Sequence, residues 1–107
     1  MKREVAIRFS YEADDGSLRE NAIVFDGTEA FKVTYYDARD ASMLEAYDRI
    51  VDRGQTTWLA EVVANLRRKG HQANGLVHLM ISFDDSPCYE FLCTSFRVED
   101  PAEAVSR

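Results

Sequence analysis

Few residue types in this chain can carry chemistry. Its two histidines are His71 and His78, and its two cysteines are Cys88 and Cys93. A zinc site needs three or four convergent nitrogen or sulfur ligands. Neither histidine has a second His or Cys at ligand spacing, so His71 reads as a loop residue, His78 as a strand-face residue, and no metal or other cofactor is expected. A cysteine nucleophile needs a thiolate stabilised by a nearby base or a positive helix end. Cys93 precedes Thr94 and Ser95 in an extended apolar run, and Cys88 follows Pro87. Both read as small apolar fillers of a sheet. The enzymatic alternative is a Cys–His dyad built on His78. On a regular strand His78 and Glu90 can share one face while Cys93 points away. The five-residue separation of the cysteines sends them to opposite faces, so they are not expected to pair.

Other sites are tested by spacing. Asp84, Asp85 and Glu90 can in principle hold a magnesium ion. The PD-(D/E)xK nuclease pattern also needs a lysine two residues after its second acid, and Glu90 is followed by Phe91 and Leu92. A solvated turn with one strand glutamate accounts for these acids. The five glycines are scattered singly, with no glycine-rich phosphate cradle ahead of a helix. Arg67-Arg68-Lys69 reads as a cationic helix end, where it complements the helix dipole.

The positioning elements follow from periodicity. Residues 4–11 alternate, with Val5, Ile7, Phe9 and Tyr11 on one face, and form a half-buried strand. Residues 20–25 and 30–36 are the next two strands, joined at Asp26-Gly27, a pair that tolerates positive φ and signals a hairpin. The period then becomes helical. Met43, Leu44, Tyr47, Ile50 and Val51 form one stripe, Asp40 or Ser42 caps it, Ser42 with Glu45 fits a capping box, and Gly54 stops it. A second helix begins near Thr56 or Thr57, carries Trp58, Leu59, Val62, Val63 and Leu66, and ends at Gly70. Residues 76–83 return to strand. Residues 88–98 form a long strand with apolar residues on both faces, which requires a central position or a bulge.

The expected fold is α+β: a mostly antiparallel five-stranded sheet in the order β-β-β-α-α-β-β, with the helix pair packed on one face. At 107 residues and 46% apolar composition the chain makes a single domain over 1–107, with a frayed tail at 99–107. No run of apolar residues is long enough for a signal peptide or a membrane helix. With free thiols, that places the protein in a reducing cytoplasm.

Charge is the feature with a direction. The formal net charge is −6. Residues 12–52 hold eleven acids against four bases and residues 84–107 six against two, whereas residues 53–82 are net +3. Such a chain repels phosphate backbones and anionic membranes. Clustered acids solubilise a surface or steer a cationic protein partner onto it. The contact residues expected on the second reading are Asp14, Asp15, Tyr36, Asp37, Asp40, Asp84 and Asp85.

In size, acidity and α+β pattern, with the acidic segments Glu12-Ala13-Asp14-Asp15, Asp37-Ala38-Arg39-Asp40 and Asp84-Asp85, the chain resembles small bacterial immunity proteins. These neutralise polymorphic toxins, including those of contact-dependent growth inhibition. The resemblance implies a cytoplasmic protein without catalytic residues that binds a basic toxin domain, often a nuclease, and blocks its active site or substrate path; a monomer fits this reading. The alternative within binding proteins is a dimeric cytosolic secretion chaperone with exposed apolar grooves, for which Trp58 and Leu59 offer a seam.

Overall fold

The computed structural model describes residues 3–40, 43, 46, 49–83 and 87–99. Among them the chain forms β1 (Val5–Glu12), β2 (Leu18–Asp26), β3 (Ala30–Thr34), a 3-10 turn (Tyr36–Ala38), β4 (Val51–Asp52), α1 (Thr57–Arg68), β5 (Val77–Ser82), β6 (Cys88–Cys93) and β7 (Ser95–Glu99). The strands make two antiparallel sheets, ordered β1-β2-β7 and β3-β6-β5-β4. The expected single five-stranded sheet carrying a helix pair is therefore wrong: seven strands build two sheets, and one α-helix lies among the described residues.

The first cause of the difference lies at Asp26-Gly27. The hairpin expected there does not form, because β2 and β3 do not pair with each other. β2 pairs with β7 and β3 with β6. Asp26 stands opposite Ser95 and Ala30 opposite Leu92. Three residues, 27–29, thus face two, 93–94. That extra residue is a β-bulge, which bends a strand and increases its twist. Gly27 supplies the positive φ of 63°. The same backbone freedom that suits a tight hairpin is used here to bend one ladder into two sheets. The long strand expected over 88–98 breaks at the matching point, where Thr94 N–H donates to Asp26 O at 3.0 Å and the Thr94 hydroxyl donates to the same oxygen at 3.0 Å.

The bent ladder closes over its own apolar face. Phe25 and Phe91, both fully buried, stack at 3.8 Å between ring centroids and 10° between planes. Ile23 from the first sheet and Leu79, Ile81 and Cys93 from the second complete the buried centre, with Val5, Ile7 and Phe9 packed against it. The alternation in β1 therefore points its expected face inward. Phe9 stacks on Phe83 at 5.1 Å and ties the outer half of β1 to the end of β5. On the opposite face of the first sheet, Arg97 pairs with Asp26, with Glu99 at 3.0 Å and with Glu4 at 3.7 Å. Val24 stands directly opposite Arg97 and next to Ala6, so these contacts draw the guanidinium across β2.

The second correction concerns the expected first helix. Met43 and Ala46 have 3-10 geometry, and Val51–Asp52 form a strand paired to Met80 and Leu79. A 3-4 apolar spacing fits successive 3-10 turns as well as an α-helix, and β-branched Ile50-Val51 suits the strand that ends the segment. Asp40 does cap a turn, accepting from Met43 N–H at 3.1 Å. Ser42 and Glu45 lie outside the described residues. The other helix forms as expected, with Thr56 at its N-cap, Lys69 at its C-cap and Gly70 following at φ 83°.

Gly27→Ala tests the bulge. A Cβ at this position would meet Thr94 Oγ1 at 2.5 Å, in addition to the cost of a positive φ. Gly54 has φ 74° with open space around it. Gly54→Ala therefore carries only the backbone cost of about 1–2 kcal/mol, and Gly27→Ala is expected to lose about 1–2 kcal/mol more. Urea denaturation midpoints of the two variants make the comparison.

Candidate functional site

The central strands of the second sheet, β5 and β6, are buried on both faces, and their outer face carries polar side chains. Residues 88, 90 and 92 of β6 point outward, opposite residues 82, 80 and 78 of β5. Glu90 therefore lies directly across from Met80, diagonal to His78, and on its other side directly across from Lys32 of β3. His78 is 4% exposed and Glu90 5%. Residues this polar stay buried only when hydrogen-bonded, and these two bond each other: His78 Nε2 is 2.9 Å from Glu90 Oε1.

The network continues into α1. Thr56 Oγ1 accepts from Leu59 N–H at 3.3 Å as the N-cap, and the same oxygen is 2.8 Å from His78 Nδ1. An ionised Glu90 only accepts. In the neutral imidazole the proton thus sits on Nε2, Nδ1 accepts, and the Thr56 hydroxyl donates to it. Trp58, in the first turn of α1, meets the His78 ring edge-on at 5.1 Å, and Lys32 Nζ lies 4.4 Å from the centre of the Trp58 ring. One cap residue, one strand histidine and one strand glutamate thus fasten the helix to the sheet, with Lys32 and Trp58 beside them.

The His78 hydrogen bond holds the Glu90 carboxyl below its ordinary value of 4.5; burial opposes this, and the charges of Lys32 and Arg53 assist it. Among the described residues Glu90 Oε2 has no hydrogen-bond partner, and Lys32 Nζ lies 3.9 Å from it. The row Thr56–His78–Glu90 has the order of a hydroxyl, a base and an orienting carboxylate. Here the hydroxyl oxygen is occupied as a helix cap and both other groups are buried. The arrangement ties the start of α1 to the sheet.

The thiols take no part in it. Cys93 sits in the core between the sheets, and Cys88 packs with Ala46 and Met80 on the outer face, so the two cysteines are free and separated. Burial raises each to about 11, with Glu90 adding to the effect at Cys88 and Asp26 at Cys93.

The acidic residues singled out from the sequence occupy loops of both sheets. Asp14 and Asp15 are exposed in the β1–β2 turn. Asp15 accepts from Ser17 N–H at 2.9 Å and from Ser17 Oγ at 2.6 Å, which lowers its pKa, and lies 3.7 Å from Arg19. Asp14 makes no ion pair among the described residues. Tyr36 and Asp37 open the 3-10 turn after β3, Asp37 is exposed, and Asp40 follows as the cap of the next turn. Asp84 and Asp85 lie outside the described residues. Sequence reasoning placed His78 and Glu90 on one sheet face but did not connect them to Thr56, Lys32 and Trp58. The available signal was a pair of polar residues in the phase of strands that are apolar on both sides.

No family model, curated protein or solved structure matches the chain. Among the described residues, no helix is long and apolar enough to cross a membrane, and no three His, Cys, Asp or Glu side chains converge to hold a metal.

Two measurements probe the site. The folded carboxyl of Glu90 titrates below its ordinary value, so its stabilising contribution is complete above pH 4.5 and is lost as pH falls through the lower folded value. Glu90→Gln removes that dependence. The variant is expected to lose less stability than the wild type between pH 6 and pH 3 in denaturant titrations. Glu90→Ala instead leaves the buried His78 N–H without an acceptor and costs about 1–3 kcal/mol at neutral pH. A thiol reagent at neutral pH is expected to modify Cys88 and Cys93 only on the timescale of unfolding, and rapid labelling of native Cys93 would favour the enzymatic reading.

Proposed function

We propose that this protein is an acidic protein-binding module that neutralises a basic partner, such as a toxin domain, by direct contact. The observation that carries this reading is the acid-rich pair of loops. Exposed Asp14 follows β1 and exposed Asp37 follows β3, and neither forms an ion pair among the described residues. Carboxylates without an internal cation are available to an external one. Charge clusters of this kind act mainly on encounter and orientation, through long-range attraction that salt weakens. Asp15 and Asp40 are held by local hydrogen bonds and keep their loops in shape. In this reading the Thr56–His78–Glu90 network has no chemical step and serves the scaffold.

A second reading, a secretion chaperone, is favoured by a specific observation. Phe31, Val33 and Tyr35 are 55%, 38% and 73% exposed, and Phe96 and Val98 are 44% and 59% exposed. Apolar side chains in such number suit the capture of an extended apolar segment.

The test is recovery of the partner from the source cells, followed by stopped-flow association with Asp14→Lys and Asp37→Lys. Neutralisation of a basic partner predicts that k_on falls about tenfold or more in the double variant and that the difference shrinks at high salt. An unchanged k_on would remove these residues from the interface. Loss of binding in Phe31→Ser and Phe96→Ser, with the charge reversals silent, would select the chaperone.

A further inference from the structure

We propose that the edge of β3 left unpaired among the described residues pairs with β3 of a second copy of this chain, joining two four-stranded sheets across a two-fold axis at Val33. Among the described residues β3 hydrogen-bonds to another strand, β6, on one side only. An edge strand offers unpaired N–H and C=O groups, and natural edges are usually blunted by an outward lysine, a proline or a bulge. The only lysine of β3 is Lys32, which is turned onto the outer face, 3.9 Å from Glu90 and 4.4 Å from the Trp58 ring centre. Within Ala30–Thr34 there is no proline, and the bulge precedes the strand.

The sequence of the edge selects both the occupant and its register. Phe31, Val33 and Tyr35 alternate with Lys32 and Thr34, so a continuous sheet keeps its apolar row on one face only when residue numbers opposite each other sum to an even value. Centring on Lys32 sets that lysine against its own copy, a repulsive pair. Centring on Val33 sets Phe31 against Tyr35, Lys32 against Thr34 and Val33 against itself. No like charges meet within the strand, and each exposed ring gains an aromatic partner from the other protomer. A two-fold interface requires this self-complementarity.

The area sets the strength. A full aromatic side chain covers about 150–250 Å², so the exposed portions of Phe31 and Tyr35 leave roughly 250 Å² of ring surface per protomer. With Val33 and the backbone edge, the two protomers together bury about 600–800 Å², the range of a weak, transient contact rather than a stable interface. The dimer is dissociable, unlike an obligate one. The inference goes beyond the proposed function and does not depend on the acidic loops.

Sedimentation equilibrium of the full chain over a concentration series tests it, together with Val33→Lys and Val33→Glu. The wild type is expected to show a monomer–dimer equilibrium. Each variant places like charges on the axis and is expected to weaken dimerisation at least about tenfold. An equimolar mixture of the two is expected to regain a dimer, because only this register sets position 33 against itself. A wild type that stays monomeric at every concentration, a variant that associates like the wild type, or folded variants that fail to combine would each overturn the proposal. Should either variant unfold by circular dichroism, amide exchange of the wild type decides. Protection at 31, 33 and 35 that rises with protein concentration supports the pairing, and protection independent of concentration refutes it.

Discussion

Both sheets of this protein depend on one bent ladder of hydrogen bonds. β2 continues into β3 and β6 into β7, and the two continuous runs stay paired through the bend with a single extra residue at 27–29. Closing the bend requires a positive φ at Gly27 and a close approach of Thr94, whose N–H and hydroxyl both bond Asp26 O. Everything apolar inside follows from that geometry. It brings Phe25 and Phe91 face to face, and the remaining inward residues of β1, β2, β5 and β6 gather around the two rings. A straight ladder would leave the same residues on one open face with nothing to cover them, and a two-layer core would not exist.

The outer face of the second sheet solves a different problem. A helix capped by Thr56 has to be held in one position over the sheet, and nonspecific apolar contact fixes position weakly. The bonds from Leu59 N–H to Thr56, from Thr56 to His78 and from His78 to Glu90 do so directionally. Buried polar networks are costly when partly satisfied. Glu90 Oε2, which lacks a hydrogen bond among the described residues, is where that cost falls, and the charge of Lys32 at 3.9 Å offsets it. The position of Lys32 therefore links helix docking to the edge strand.

The legible part of the sequence was whatever depends on local period. Strands β1, β2, β3 and β5 and helix α1 were readable because alternation or a 3-4 stripe coincides with an unambiguous cap or turn, as with Thr56 and Gly70 around α1. The errors came where one pattern serves two geometries. Asp26-Gly27 offers a positive φ, and whether it makes a hairpin or a bulge depends on which strand is the partner, a nonlocal fact. Met43, Ile50 and Val51 have helical spacing, yet pairing of Val51 with Met80 decides for strand. At the site, His78 and Glu90 could be placed on one face by parity alone. Thr56 and Lys32 could not, since nothing local tells a helix cap and an edge lysine that they meet over the same glutamate.

The distribution of charge fits this division of faces. Arg97 is committed to Asp26, Glu99 and Glu4 across the first sheet, Arg3 is paired with Glu29 at 2.6 Å, and Lys32 is committed to Glu90 and Trp58. Three of the strand and turn cations thus hold the scaffold together by neutralising acids in contact with them. The acids at the loop tips, Asp14 and Asp37, are left outside that accounting. Exposed carboxylates stand both at these loop tips and along the first sheet, at Glu12 and Glu20 of the β1–β2 ladder. In these loops the neighbouring acids do structural work, Asp15 accepting from Ser17 and Asp40 from Met43 N–H, which fixes the backbone that carries Asp14 and Asp37.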